Sequence, residues 1–142
     1  MGPALSLPPR RGFTLVEMAI AMSIAVLLVS TAWPSYQARL AKARRQDAVL
    51  ALTQLQTAQE MFRANNGIYA ASLSQLRGGV APVSPQGLYD IVLENVGAEG
   101  FGAVARARAD GPQMRDHDCP WLALRVDQGI AEQAPRAACW NR

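Results

Sequence analysis

The chain is poor in the residues that most chemistry requires. It holds one histidine and two cysteines, Cys119 and Cys139, among 142 residues. A single His and the absence of any Cys-x-x-Cys pair argue against a zinc site. No nucleophile–base pattern, P-loop or GxGxxG is present, so the sequence supports neither catalysis nor a cofactor and reads as a non-enzyme. Asp116-His117-Asp118, beside Cys119, comes nearest to a metal or acid–base cluster, and it reads as a polar turn. No internal repeat or low-complexity tract is evident.

Charge is scarce in one place above all. From Phe13 to Trp33 run 21 residues with a single charge, Glu17. At 1.5 Å rise per residue such a segment spans a bilayer as a helix. A carboxylate inside it is expensive, about 2.5–3.5 kcal/mol at mid-bilayer, and calls for a partner. The apolar run exceeds the usual hydrophobic core of a cleavable secretory signal, and no Ala-x-Ala site follows it promptly. Cations stand on both sides: Arg10 and Arg11 before it, Arg39, Lys42, Arg44 and Arg45 after it. The positive-inside rule therefore leaves orientation open. The second group reads as a basic collar at lipid headgroups.

Net charge is +3, yet residues 65–142 carry seven arginines against eight carboxylates. That near-neutral balance argues against nucleic acid as a partner of the distal domain. The two cysteines suggest one disulfide in an exported chain, and free or redox-active thiols in a cytosolic one.

Residues 1–12 contain Pro3, Pro8, Pro9 and Gly12 and read as a disordered leader. A helix is expected from Phe13, kinked near Ser30–Pro34 because proline removes one backbone bond. Beyond it Ala48, Ala51, Leu52, Leu55, Ala58 and Phe62 recur at helical spacing, with Arg44, Asp47, Gln54, Gln56 and Arg63 largely off the stripe. Asn65-Asn66-Gly67 should end the helix, Gly67 taking the left-handed cap. The whole element would be about 52 residues and 78 Å long. Residues 67–88 read as a loop, pinned by Leu73 and Leu76. Strands are expected at Tyr89–Asn95, Gly102–Ala107, Leu122–Asp127 and, weakly, Gly129–Glu132. An antiparallel sheet needs one face covered, and the helix stripe is available. The fold class is α+β.

Arg11-Gly12-Phe13-Thr14-Leu15-Val16-Glu17, the apolar run and Pro34-Ser35-Tyr36 resemble the class III signal peptide of type IV pilins and pseudopilins. Ala43-Arg44-Arg45-Gln46-Asp47-Ala48, Asn66-Gly67-Ile68-Tyr69, Cys119-Pro120-Trp121-Leu122-Ala123-Leu124 and Ala138-Cys139-Trp140 are similar to PilE-like minor pilins. The resemblance implies the type IV pilin fold, with residues 1–12 as leader, 13–33 as transmembrane and filament-core helix, 34–66 as its amphipathic continuation, and 67–142 as an antiparallel sheet domain with a C-terminal disulfide loop. It implies cleavage by a prepilin peptidase between Gly12 and Phe13, then methylation of the Phe13 amine. That amine, on a neighbouring subunit, would meet Glu17 and set the axial register of assembly, since a charge-assisted pair offsets two desolvation penalties together. Partners would be other pilins, the peptidase, an inner-membrane assembly platform and the membrane itself. The subunit would be a single-pass inner-membrane protein with a periplasmic domain, then part of an extracellular filament serving assembly, motility, adhesion or DNA uptake. Cys119 and Cys139 would then pair, closing a loop of about 21 residues worth about 3 kcal/mol in the chain-entropy picture.

Two other readings compete. One is a pseudopilin of type II secretion, against which the cysteine loop and terminal Cys-Trp speak. The other is a DNA-binding pilin of natural transformation, in which Arg106, Arg108, Arg115, Arg125 and Arg136 converge on phosphates. Co-expression with a prepilin peptidase should shorten the chain by residues 1–12. Intact mass is the measurement, and retention of Met1–Gly12 while a control pilin is fully processed would refute the cleavage site.

Overall fold

The computed structural model of the chain describes residues 12–76 and 78–140. The expected leader, apart from Gly12, lies outside the described residues. The chain divides into two compact units, residues 1–37 and 38–142.

One helix, α1, runs Leu15–Asn66. Its start is set by Thr14, whose Oγ1 accepts the Glu17 backbone N–H at 3.2 Å. Thr as N-cap with Glu at the third helical position is the sequence pattern of a capping box. Within residues 12–37 every described side chain is exposed, Leu15 at 90% and Phe13 at 76%. The helix satisfies its own backbone and offers apolar side chains all round, as a bilayer or a bundle of like helices requires. By length and composition it can cross a membrane. Helical residues continue on both sides of Pro34, so the proline does not end α1. Hydroxyls there turn back onto carbonyls, Ser30 Oγ to Leu27 at 2.8 Å and Thr31 Oγ1 to Leu28 at 3.0 Å.

From residue 38 onward the helix becomes one-sided. Ala48, Ala51, Leu52 and Leu55 are buried, as their spacing predicts, while Ala58 and Phe62 are only half-buried. The helix stops where expected: Gly67 has φ 77° and its N–H reaches Arg63 O at 2.8 Å. The stripe packs on a four-stranded antiparallel meander in the order β1 (Tyr89–Glu94), β2 (Gly100–Ala107), β3 (Trp121–Asp127), β4 (Ile130–Ala134). Alternation selects the inner face: Tyr89 and Ile91, Phe101, Ala103 and Ala105, Leu122, Leu124 and Val126 are buried. The β3–β4 turn is Gln128-Gly129, both at positive φ, which matches the twist of a two-residue hairpin. Gly100 is required by close approach, since a Cβ there would collide with the Val126 carbonyl. Fully burying side chains such as Leu52 or Leu122 contributes about 1.5–3 kcal/mol each.

Polar side chains of α1 fasten the loops. Gln59 is fully buried; its amide donates to Ala70 O at 2.9 Å and accepts from Ala70 N at 2.8 Å. Asp47, read from the sequence as off the stripe, is 2% exposed. Its carboxylate accepts from the Ser84 hydroxyl and from Gln86 N at 2.9 Å. The same Ser84 oxygen accepts from Tyr89 N at 2.9 Å and Leu88 N at 3.1 Å. A carboxylate tolerates burial only with such donors, and here they are the otherwise unpaired groups of a tight loop. Asp47→Ala should therefore cost about 3 kcal/mol, with Asp47→Asn intermediate because it keeps one acceptor. Denaturant unfolding of the full chain in detergent micelles measures this; an Asp47→Ala midpoint equal to wild type would refute the loop's dependence on it.

Candidate functional site

The N-terminal residues named by the sequence lie together at the head of α1. Gly12 has open space around it and Phe13 is exposed. Glu17 sits one helical turn beyond Phe13, its backbone tied to Thr14. Its carboxylate makes no ion pair among the described residues. The Thr14 cap was missed in reading the sequence, although Thr-x-x-Glu before an apolar run announces it.

At the other end of the sequence, Cys119 and Cys139 are bonded and both fully buried. The bridged segment is not a free loop: it encloses β3, its turn and β4. Trp140, 5% exposed, closes it by donating Nε1 to Ala134 O at 2.9 Å. Asp116 proves to be part of an interior ion pair rather than of a surface turn. Arg45 on α1 grips it with Nε at 2.7 Å and a terminal nitrogen at 2.8 Å. Gln113 Nε2 donates to the same carboxylate at 2.7 Å and to Ala41 O at 3.1 Å. Hydrogen bonding to Asp116 raises the Arg45 pKa against the opposing effect of burial. Arg45 is thereby withdrawn from the expected basic collar, leaving Arg39, Lys42 and Arg44. Helical spacing held the signal, because Arg45, Ala48, Leu52, Leu55 and Gln59 form one continuous stripe. Nearby, burial pushes the Tyr89 phenol well above its usual range. His117 and Asp118 remain exposed.

The five candidate phosphate-binding arginines do not form one patch of free cations. Arg106 pairs with Glu94 at 3.2 Å and Arg125 with Asp127 at 3.9 Å, both on the outer sheet face. Arg108 lies between Asp110 at 3.2 Å and Asp90 at 3.3 Å, and its hydrogen bond holds the Asp110 carboxyl below its ordinary range. Arg136 donates to Asp118 O at 2.9 Å and lies 3.8 Å from its carboxylate. Arg115, in the β2–β3 connection, is exposed and has no carboxylate partner among the described residues.

A long helix with an exposed apolar head, laid by its second half on a four-stranded meander that a C-terminal disulfide closes, is the arrangement the resemblance implied. The prokaryotic N-terminal methylation motif matches residues 7–33. The family described as type IV minor pilin ComP, DNA uptake sequence receptor, matches residues 34–123. No curated protein matches the chain. With more than half of its length in that match, the chain belongs to the family of the type IV minor pilin ComP, DNA uptake sequence receptor.

Proposed function

We propose that this minor pilin enters a pilus filament through its N-terminus and engages duplex DNA with its distal domain during uptake. The match of residues 34–123 to a family of DNA uptake sequence receptors is the observation that carries this reading. It outweighs the near-neutral charge of the distal domain, since a local cation suffices where the filament supplies the scaffold. The role is structural and recognitive rather than enzymatic.

The N-terminal steps follow from the residues. A prepilin peptidase cuts between Gly12 and Phe13, and the new Phe13 amine is methylated. Before assembly residues 13–33 anchor the subunit in the inner membrane, with the disulfide domain in the periplasm. On assembly with other pilins, through an inner-membrane platform, the Glu17 carboxylate takes a neighbour's Phe13 amine. In a dry bundle such a pair is directional and sets axial register.

Two measurements bear on the two halves. Glu17→Ala should insert normally, because it removes the only charge in the span, yet be depleted from filaments sheared off cells. Equal amounts of variant and wild type in sheared filaments, at equal membrane levels, would remove Glu17 from the docking mechanism. The processed full chain in detergent micelles should bind labelled duplex DNA, with affinity falling steeply from about 50 to about 200 mM salt. No binding at the lower salt would refute the DNA reading and leave the filament role intact.

A further inference from the structure

The connection between β2 and β3 is held from inside at every third residue. Gln113, Asp116 and Cys119 are 0%, 5% and 1% exposed. Met114, Arg115, His117 and Asp118 between them are exposed. A 3-10 turn over Pro112–Arg115 starts this spacing, since positions i and i+3 eclipse in that helix. Each inward residue has its own hold. Gln113 reaches Ala41 O of α1, Asp116 takes the two-pronged grip of Arg45, and Cys119 is bonded to Cys139. Arg45 also donates to Ala138 O at 3.4 Å. Helix α1, the 112–119 connection and the C-terminal segment therefore meet in one buried hub.

An exposed polar turn does not need a buried ion pair to be stable. Such a pair adds little stability over an apolar replacement, because desolvation cancels most of its attraction. What the planar, two-bonded geometry does supply is direction. The exposed residue immediately before Asp116 is Arg115. Among the described arginines of residues 67–140, Arg106, Arg108, Arg125 and Arg136 each sit beside a carboxylate. Arg115 alone does not. A paired arginine must release its carboxylate before taking a phosphate, whereas Arg115 is ready for one.

We propose that Arg115 contacts a backbone phosphate of duplex DNA, and that Arg45, Gln113 and Asp116 are positioning residues that hold it outward. The proposal rests on the DNA-uptake reading above. It gives the buried hub a part in recognition, and it explains why a loop so exposed is fixed so firmly from within.

The test is a double-mutant cycle on the processed full chain in detergent micelles, with a labelled mixed-sequence duplex of about 20 base pairs followed across a salt series. Arg115→Ala should weaken binding about fivefold and reduce the salt slope by about 0.9, the loss of one phosphate contact. Arg45→Lys keeps the charge but loses the fork, and should weaken binding by a similar factor. The double variant should bind no more weakly than Arg115→Ala alone. Circular dichroism and disulfide content check folding; if Arg45→Lys fails them, Gln113→Met, of similar length but without the donor, replaces it in the cycle. Multiplying effects, about 25-fold in the double variant, would overturn the positioning role. Arg115→Ala with wild-type affinity and slope would overturn the contact while the DNA reading stands, because wild type still binds. Failure of wild type to bind any duplex would overturn both.

Discussion

The ion pair between Arg45 and Asp116 joins residues 71 apart in sequence, and Arg45 ties two segments, the 112–119 connection and the C-terminal one, to one point of α1. Both side chains are almost fully buried, so each charge depends on the other. Removing either alone would strand a desolvated charge at a cost of about 3–5 kcal/mol, far more than the pair itself contributes. That asymmetry constrains the surroundings. Gln113 adds a further donor to Asp116, Ala138 O accepts from the third guanidinium nitrogen of Arg45, and the bond between Cys119 and Cys139 closes the same region. A carboxylate held this way is a fixed point, and the turn that carries it is fixed too.

The same rule operates along the second half of α1. Asp47 satisfies the loop at 84–88, and Gln59 satisfies both backbone groups of Ala70. The helix is thus more than an apolar lid on the sheet. Its hydrophobic stripe supplies the area that drives docking, and its buried polar side chains decide which loop conformations are compatible with it. The first half of α1 obeys the opposite rule: it is apolar on every side and exposes all of it. One element thus carries two kinds of surface, an exposed apolar head and a body whose stripe joins the core of the sheet.

Residues 12–66 were readable because their signals are local. The apolar run, the Glu17 charge, the helical spacing of Ala48, Leu52 and Leu55 and the Gly67 cap each need only a few neighbouring residues to be recognised. The strands were legible to within two residues, with β4 the least distinct because its exposed pattern carries no alternation. The arginines were legible as a list and not as a site. Whether Arg106, Arg108, Arg125 and Arg136 are free depends on carboxylates brought beside them by strand register and loop closure.

The sequence by itself determined the membrane-length segment, the one-sided helix and the α+β class, because each is written in composition or in a period of two or 3.6 residues. Only the tertiary structure decided that Arg45, Asp47 and Gln59 turn inward, and that Asp116 leaves its polar turn for the interior. Periodicity states which residues share a face. It does not state whether a polar residue on that face is buried, since this depends on a partner 11 to 71 positions away to satisfy it.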